Sequence, residues 1–461
     1  MRTVSHSPIV PFVWRLSPFL RFSNPQFVWA VDGCLNQPTD SVSVTCLAGT
    51  AASFSLYGTQ DCTGSADFQG NSKTGACATA SAFGSSYIVY CGTSPSPAPS
   101  ASPAPAPQWS QAGYNAQHTS RSPYAGPKTP PKILWSFPVD YGQGSPAVGA
   151  DGTVYFCTES ALTALSGSSG KVLWTVQFAC MGSPAIGLQG MVYVTTYSGL
   201  AAFNGVTGAQ LWMFTPQNTK PQFYLSPVLD LESGTVYAAT AYTLYALDGR
   251  TGDLLWLIRA EGEYEFQKAP AIGHDGLLYT CTDGWFCALD KGTGAVNWNI
   301  STTVCKKNNL LIGDDNTVYV TGGSTLYALN GSSGAQIWST DVGSGNGYSG
   351  PGAIGRDAIY VSTDGMITAV GLRFGEVLWT RGASGGPFPA ERISITVDVN
   401  GLLFFSWGGE YFTWNGTTGA TVCNSSSNSS NIFYSDPLAL GADGTLYFVT
   451  SDGGDAAYAL K

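Results

Sequence analysis

The sequence predicts an all-β protein: an eight-bladed β-propeller closed by an N-terminal strand and preceded by a small cysteine-rich unit and a Pro/Ser linker. Two observations lead to this fold class. A sequence motif ending in tryptophan recurs along the chain, as in "LTALSGSSGKVLW" (162–174) and "LYALDGRTGDLLW" (244–256). Successive tryptophans of this motif are 38 to 44 residues apart, a spacing typical of a propeller blade with four strands.

The composition agrees with many short strands joined by tight turns. Charged residues make up 11% of the 461-residue chain, and 57 residues are glycine, whereas globular domains contain about 25% charged residues. A formal net charge of −10 without any basic run argues against nucleic acid as a partner. No apolar stretch reaches the length of about 18 residues that a spanning helix needs, so no transmembrane segment is predicted.

Each repeat contains a glycine four residues before its tryptophan, in a turn of the form "TG" or "SG" except at Gly375, which follows Phe374. The pairs are Gly170/Trp174, Gly208/Trp212, Gly252/Trp256, Gly294/Trp298, Gly334/Trp338 and Gly375/Trp379. A seventh repeat keeps the glycine, Gly419, but has Cys423 where tryptophan is expected.

A second landmark is an apolar–aromatic pair, often preceded by Asp-Gly, which occurs eight times. Its aromatic residues are Tyr155, Tyr193, Tyr237, Tyr279, Tyr319, Tyr360, Phe404 and Tyr447. The Asp-Gly predicts a hairpin turn, since glycine tolerates the positive φ that such turns need. Each blade is therefore expected to contain an inner strand, an Asp-Gly turn, a "VY" strand, a short turn, an "LYAL" strand, the "TG" turn and an outer "LW" strand.

The strand count predicts how the ring closes. Eight "VY" strands are present, but only seven of them are followed by an outer strand, because the sequence stops at "YALK". One surplus strand, "KILWSFPV" (132–139) with Trp135, precedes the first blade. We expect this strand to pair with the last blade, near 437–460, and so remove the open sheet edge.

Four segments are predicted along the chain. Residues 1–30 are a possible targeting segment, although arginines and prolines interrupt its apolar run; cleavage after Ala30 and a wrongly assigned start are both open. Residues 31–92 hold five of the 11 cysteines, which favours a disulfide-stapled unit. Residues 93–108 form a Pro/Ser/Ala linker of polyproline type, and residues 109–461 form the propeller.

The sequence also favours a secreted glycoprotein. Asn-x-Ser/Thr acceptor triplets support this together with the cysteine-rich unit. They occur at Asn299, Asn330, Asn415, Asn424 and Asn428.

The unit "DGxVYxxT…LYALDGxTGxLLW" resembles the repeat of the pyrroloquinoline-quinone-like (PQQ-like) propeller family. The resemblance extends over residues 132–461, and residues 108–137 are similar to the lead-in strand of that family. The family has a catalytic branch, the quinoprotein dehydrogenases, and a non-catalytic branch that includes the lipoprotein of the bacterial outer-membrane barrel assembly machinery. The resemblance implies that the repeat tryptophans dock each blade on the next. They are Trp135, Trp174, Trp212, Trp256, Trp298, Trp338 and Trp379.

Membership of the catalytic branch would imply a quinone, a calcium site of acidic and amide side chains, an aspartate base and often two adjacent cysteines. No adjacent cysteine pair occurs here. The aspartates mostly occupy repeated turn positions, such as Asp151 and Asp275, which turn chemistry explains. We therefore expect no enzyme, no catalytic or metal-binding residues, and neither PQQ nor calcium. His118 is expected to pack or hydrogen-bond across the closing blade, and His274 to be a solvated turn residue.

The candidate binding residues lie in connections that share one face of a propeller, the inter-blade loops and the second-to-third-strand turns. Loops 215–225, 259–268 and 381–392 concentrate charge in a chain with few charges, and "TDGWF" adds an aromatic residue. The charges could instead pair with one another, and the tryptophan could plug the channel. The predicted partner rim consists of Lys220, Arg259, Glu261, Glu263, Glu265, Lys268, Asp283, Trp285, Arg381, Glu391 and Arg392.

Three function classes stay open from the sequence. The first is a secreted or cell-surface binding scaffold with a protein or glycan partner on one propeller face. An assembly-factor-like propeller is the second, although its lipoprotein form requires a cysteine directly after a signal peptide, and Cys34 follows "AVDG". A quinoprotein-type oxidoreductase is the third.

Overall fold

The structure is a computed structural model of the 461-residue chain, and it divides into two compact units, Met1–Pro103 and Ala104–Lys461. In the first unit it describes the backbone of five strands. In the second it describes residues 106–461 except 188, 217–221, 261–264, 267, 283, 302–309, 344–351, 364, 383–392, 408–409, 427–437 and 451–455. All of the regular elements in the described residues are strands, and none is a helix that could cross a membrane.

The first unit contains two small antiparallel sheets. Strands β1 (Ser41–Leu47), β2 (Ala51–Tyr57) and β3 (Ala66–Lys73) form one sheet, and β4 (Cys77–Ala82) pairs with β5 (Ser85–Tyr90).

The second unit is a ring of eight four-stranded antiparallel sheets, which confirms the predicted eight-bladed propeller. The strands of blades 1 to 4 are β7 (Gly142–Val148), β8 (Thr153–Thr158), β9 (Ala161–Ser166), β10 (Val172–Gln177); β11 (Met181–Ile186), β12 (Met191–Thr195), β13 (Leu200–Asn204), β14 (Gln210–Phe214); β15 (Val228–Leu229), β16 (Thr235–Ala239), β17 (Thr243–Asp248), β18 (Leu254–Arg259); β19 (Ala271–Ile272), β20 (Leu277–Cys281), β21 (Trp285–Asp290) and β22 (Val296–Ser301). The strands of blades 5 to 8 are β23 (Leu311–Ile312), β24 (Thr317–Gly322), β25 (Thr325–Asn330), β26 (Gln336–Asp341); β27 (Ala353–Ile354), β28 (Ala358–Thr363), β29 (Met366–Gly371), β30 (Val377–Gly382); β31 (Thr396–Val397), β32 (Leu402–Trp407), β33 (Glu410–Asn415), β34 (Thr421–Ser426); β35 (Ala439–Leu440), β36 (Leu446–Val449), β37 (Ala456–Leu460) and β6 (Ile133–Pro138).

Blade 8 is completed by the N-terminal strand, as the strand count predicted. β6 pairs antiparallel with β37, from Ala456 opposite Pro138 to Leu460 opposite Ile133. The ladder continues beyond both strands, because the backbone amides of Lys132 and Lys461 donate to each other's carbonyl oxygens. Blade 8 therefore combines strands from the two ends of the propeller sequence, and β6 covers the edge that β37 would otherwise leave unpaired.

The hydrophobic core lies between adjacent blades. The second strand β8 is buried along its whole length, whereas the outer strand β10 alternates between exposed and half-buried residues. One core cluster joins Tyr155 and Leu162 of blade 1 to Val192 and Phe203 of blade 2. A disulfide between the buried Cys157 and Cys180 ties blade 1 to the loop that leads into blade 2.

Every outer strand contains a β-bulge directly before the tryptophan position. In blade 1, Val172 pairs with Leu165 and Trp174 with Ala164, so Leu173 has no partner of its own. The same shift recurs in the other seven blades. A bulge redirects the side chain that follows it and makes a strand edge a poor template for further pairing. It thus both aims the tryptophan and protects the outer edge.

Each repeat tryptophan contacts the following blade through its indole N–H. The Nε1 atoms of Trp135, Trp174, Trp212, Trp256, Trp298, Trp338 and Trp379 donate, in this order, to the carbonyl oxygens of Gly167, Gly205, Gly249, Lys291, Gly331, Leu372 and Gly416, at 2.7 to 3.2 Å. Each indole also packs on the "VY" tyrosine of its own blade, with ring centroids 5.8 to 6.2 Å apart. Burial, with the nearby Asp151, raises the pKa of Tyr155 to about 12, so this tyrosine is neutral at ordinary pH.

Seven tryptophans serve seven of the eight blade interfaces, and the exception is the one between blades 7 and 8. In blade 7, Cys423 occupies the tryptophan position and Phe404 replaces the tyrosine. Blade 8 has no "TG" turn between β37 and β6, because these strands come from distant parts of the chain. A tryptophan in blade 7 would therefore have no turn glycine to pack against, which accounts for the cysteine.

Candidate binding face

The strand order decides which connections share a face of the ring. In each blade the first-to-second and third-to-fourth strand turns lie at one end of the strands, and we call this the turn face. The second-to-third strand turns and the inter-blade loops lie at the other end, the loop face. The predicted rim residues belong to loop-face connections, whereas Arg250 lies in the third-to-fourth strand turn of blade 3, on the turn face.

Residues 108–122, which we call the lead-in segment, run around the channel at the turn face. The segment hydrogen-bonds the innermost strands of blades 1 to 7 in order, each time at the residue before the first-to-second strand turn. The amide donors and their acceptors are Val148 to Trp109 O, Ile186 to Ser110 O, Leu229 to Gln111 Oε1, Ile272 to Ala116 O, Ile312 to Gln117 O, Ile354 to Thr119 O and Val397 to Ser120 O, at 2.7 to 2.9 Å.

The lead-in segment completes its circuit at Gln108, which joins blades 8 and 1. Its Oε1 accepts from the amide of Ala442 at 2.6 Å, and its Nε2 donates to Ala150 O at 3.3 Å. The segment thus follows the inner ends of the eight blades around the ring. The turn-face mouth of the channel is therefore lined by the protein's own backbone.

The circuit requires unusual backbone conformations. Tyr114, His118 and Ser120 have positive φ values of 78°, 55° and 47°. Such values cost non-glycine residues free energy and persist where surrounding contacts enforce them. Here the enforcing contacts are the hydrogen bonds to successive blades.

His118 lies within this segment. The sequence predicted that His118 would contact the closing blade, and this prediction is wrong. Its Nδ1 lies 3.2 Å from the carbonyl oxygen of Leu310, in blade 5, because the segment has already travelled halfway around the axis. Burial lowers the pKa of His118 to about 4, against the opposing effect of the Leu310 hydrogen bond. The imidazole is therefore neutral at pH 7, and its N–H donates to that carbonyl.

Four predicted rim residues lie together on the loop face of blades 3 and 4. Arg259 is exposed at the end of β18, opposite Thr243. Glu265 accepts a hydrogen bond of 2.7 Å from the Tyr242 hydroxyl. Lys268 is half-buried in the same inter-blade loop, and half-buried Trp285 begins β21. Because β21 is the third strand of its blade, two strands separate Trp285 from the channel. This position favours a role on the surface over one as a plug of the channel.

Arg381 is the exception among the described rim residues. Its guanidinium donates to Gly419 O at 2.5 Å and to Thr421 Oγ1 at 3.1 Å, and it lies over the Trp414 ring at 4.6 Å. All three partners belong to blade 7, so Arg381 connects two blades and does not contribute its charge to a rim. The remaining predicted residues lie outside the described ranges: Lys220, Glu261, Glu263, Asp283, Glu391 and Arg392.

Exposed tyrosines mark the loop face, and the search for charges in the sequence missed them. Tyr141, Tyr197, Tyr224 and Tyr242 expose 50%, 55%, 49% and 51% of their surface, and each lies in a loop-face connection of blades 1 to 3. These residues could have been found in the sequence, because they are tyrosines outside the "VY" and "LY" motifs. The tyrosines within those motifs belong to the strands, so the additional tyrosines are expected in the connections between strands.

Among the described residues, no group of three or more His, Cys, Asp or Glu side chains could hold a metal ion. The absence of a cofactor stays a prediction, and no reaction step is derived through one.

Comparison with known proteins agrees with the repeat and the ring. The family model of the outer membrane protein assembly factor BamB matches residues 128–262 and 243–461. A curated relative of that name from Vibrio cholerae is 30% identical over 139 residues, which is 26% of this chain and 36% of the relative. The match thus spans about a third of that protein's length.

Two solved structures show the same fold at low identity. The BamB structure from Moraxella catarrhalis has a TM-score of 0.57 and 17% identity, covering 72% of this chain and 99% of that one. A quinohemoprotein alcohol dehydrogenase from Pseudomonas putida has a TM-score of 0.61 and 13% identity, covering 77% and 80%. The predicted PQQ-like repeat propeller is confirmed, and the chain belongs to the family of the outer membrane protein assembly factor BamB.

Proposed function

We propose that this protein is a secreted or cell-surface binding scaffold whose partner, a protein or a glycan, engages the loop face of the propeller. The observation that carries the proposal is the contrast between the two faces. The turn-face mouth is lined by the lead-in segment, whereas the loop face bears four exposed tyrosines and the exposed Arg259. Large aromatic side chains that are rigidly held are typical of contact surfaces.

A location outside the cytosol is supported by the disulfide chemistry. Cys157 and Cys180 are joined, and Cys281, at the equivalent position of blade 4, is also disulfide-bonded. Such bonds are typical of oxidising compartments. Asn299 and Asn424 are exposed on outer strands and remain candidate glycan acceptors, whereas Asn330 and Asn415 use their side-chain oxygens to cap "TG" turns, so turn chemistry also explains those two asparagines.

An assembly-factor-like role is the second candidate, and the family match favours it. It shares the central feature of the proposal, a non-catalytic propeller that binds another protein. A quinone-dependent oxidoreductase has support only from the fold of solved dehydrogenases.

Charge reversal on the two faces tests the proposal. Purified full-length protein is presented to a glycan array and to extracellular protein fractions, and the partner it captures is titrated against wild type, Arg259→Glu and the matched control Arg250→Glu. Both arginines are exposed and lie in blade 3. We expect roughly tenfold weaker, salt-dependent binding for the loop-face variant and less than about a twofold change for the control. Equal losses from both faces, or no partner of either class, would overturn the proposal.

A further inference from the structure

The three residues before each tryptophan position divide the blades into two groups. Blades 2, 4, 5 and 7 have the triplets Ala-Gln-Leu, Ala-Val-Asn, Ala-Gln-Ile and Ala-Thr-Val there, each with alanine first and one large aliphatic side chain. Blades 1, 3, 6 and 8 have Lys-Val-Leu, Asp-Leu-Leu, Glu-Val-Leu and Lys-Ile-Leu, so a charged residue precedes two large aliphatic ones. Because four blades fold without them, the charge and the second aliphatic side chain are not requirements of the repeat.

The aliphatic side chains of these triplets lie on the outer edge of the ring, on the strand farthest from the channel. In blades 8, 1 and 3 they are 42% to 61% exposed, if Leu257 of blade 3 is included. Burial of apolar surface is favourable, and grouped exposed apolar residues mark interaction sites. The exposed side chains are those of Ile133, Leu134, Val172, Leu173, Leu254, Leu255 and Leu257.

Two exposed lysines lie beside these side chains where blades 8 and 1 meet. Lys132 directly precedes β6, and Lys171 directly precedes β10. The indole of Trp135 packs against Gly170, the residue before Lys171, so the beginnings of the two strands are neighbours. No carboxylate among the described residues lies within ion-pair distance of either lysine. We call Lys132, Ile133, Leu134, Lys171, Val172 and Leu173 the basic edge.

Lys132 has an unfavourable position for the fold alone. Its backbone exchanges hydrogen bonds of 2.8 and 3.0 Å with Lys461, so the two lysines are directly opposite each other. Asp443 neutralises Lys461, since its Oδ2 lies 2.8 Å from the Lys461 Nζ. Like charges that are directly opposite destabilise a sheet. The Lys132 ammonium is therefore better explained by a contact with another molecule.

Blade 3 carries the complementary charge at the same strand position. Asp253 directly precedes β18 and is exposed. Its carboxylate accepts a hydrogen bond of 2.8 Å from Thr251 Oγ1, which orients the group. We call Asp253, Leu254, Leu255 and Leu257 the acidic edge.

Blade 6 also has an acidic residue at this position, but its carboxylate faces its own turn. A Cβ atom added to Gly371 would lie 2.5 Å from Glu376 Oε1. The opposite charge of Arg373 lies in the same turn, so the two charges cancel. The turn of blade 3 contains Asp248, Arg250 and Asp253 and keeps a net negative charge, which favours blade 3 as the acidic surface.

We propose that the basic edge of one copy of this protein docks on the acidic edge of a second copy. Equivalent strand positions bring ammonium groups to a carboxylate while aliphatic side chains meet aliphatic ones, a combination typical of protein interfaces. The β-bulges disfavour a continuous sheet between the copies, so side chains make the contact. The two edges lie on neither face of the ring, so this contact goes beyond the proposed loop-face function and does not depend on it.

The two edges belong to different blades, so the association is heterologous. A copy that is bound through its basic edge keeps its acidic edge available, and further copies add in the same way. Both edges are small compared with obligate interfaces, so we expect dissociation constants in the micromolar range.

Sedimentation velocity of the full-length protein tests the association. The average mass should rise with protein concentration and fall when sodium chloride is added. Lys132→Glu/Lys171→Glu and Asp253→Lys should each weaken self-association by at least about tenfold.

A matched control separates the edge contact from an effect of net charge. It places four glutamates at the same exposed strand position of the other blades, which lowers the net charge as much as the two lysine reversals do. We expect less than about a threefold change for this control. Its substitutions are Ala209→Glu, Ala295→Glu, Ala335→Glu and Ala420→Glu.

A mixture of the two edge variants tests the pairing itself. The lysine variant retains its acidic edge and Asp253→Lys retains its basic edge, so an equimolar mixture should form a one-to-one complex that grows no further. Thermal melts check that every variant is folded. Wild-type protein that stays monomeric at about 100 µM, undiminished association of either edge variant, an equal loss in the control, or a mixture that stays monomeric would each overturn the inference.

Discussion

The Trp256 indole lies against Gly294 of the next blade so closely that a Cβ atom added to this glycine would be 2.7 Å from Trp256 Cε3. Gly294 also has a φ of 72°, so two independent constraints demand glycine there. The same contact occurs at seven blade interfaces. The glycine–tryptophan pairs are Gly170–Trp135, Gly208–Trp174, Gly252–Trp212, Gly294–Trp256, Gly334–Trp298, Gly375–Trp338 and Gly419–Trp379.

Replacing Gly294 with alanine should separate these two constraints when it is compared with Gly276→Ala. Gly276 has a φ of 80° but nothing within 4 Å of an added Cβ. We expect Gly276→Ala to cost about 1–2 kcal/mol of unfolding free energy from backbone strain alone. Gly294→Ala should cost a further 1–3 kcal/mol or so because the indole must move. Urea denaturation measures both, and equal losses would contradict the packing role.

Truncating the tryptophan of the same pair should be more costly. Trp256→Ala removes the ring contact with Tyr237 and the hydrogen bond to Lys291 O. The expected loss is about 3 kcal/mol, typical of a large aromatic residue in a core. A loss under about 0.5 kcal/mol, the level of an ordinary surface change, would show that the indole does not support the interface.

Restoring the missing tryptophan in blade 7 should not stabilise the protein. Cys423→Trp places an indole opposite blade 8, where no "TG" turn joins β37 to β6. Cys423 is buried beside its neighbours, so the larger ring is expected to overpack the site and cost about 1–3 kcal/mol. A higher melting temperature for this variant would refute the explanation given for the cysteine.

Ring closure predicts the effect of deleting residues 109–140. The deletion removes β6 and the lead-in segment, which exposes the edge of β37 and opens the turn-face mouth. Aggregation is expected, because an unpaired edge strand is a template for another chain. The control deletion, residues 109–122 only, retains β6 and should lower the melting temperature with less aggregation, as measured by light scattering. A soluble monomer of unchanged melting temperature after the larger deletion would falsify closure by β6.

Acid should destabilise the propeller partly through His118. Burial holds its pKa at about 4 in the folded protein, below the ordinary histidine value of 6.5. Between these values the unfolded chain binds a proton that the folded chain does not, so stability falls as pH drops from 6.5 toward 4. The contribution is about 3 kcal/mol over this window. His118→Gln should flatten the pH dependence of urea unfolding in that range, and an unchanged slope would show that the imidazole is accessible to protons.

The sequence by itself determined the repeat, the number of blades and the way in which the ring closes. These features follow from local patterns in the sequence. The patterns are the turn glycines four residues before the tryptophans, the recurring strand motifs, and one surplus N-terminal strand that matches the outer strand missing from the last blade. The repeat period is enough to predict this architecture because each blade makes the same contact with its neighbour. Nearly all of the blade interfaces are therefore alike.

Only the tertiary structure decided where non-repeating residues meet. Residues 108–122 carry no periodic signal, and their hydrogen bonds reach residues up to 334 positions away along the chain. Arg381 looked like a rim charge until the next blade supplied its partners, and Tyr197 and Tyr224 became a pair only when two connections of different blades were brought to one face. Such contacts depend on how the blades are arranged around the ring, which brings residues from different sequence positions side by side, and no local pattern records them.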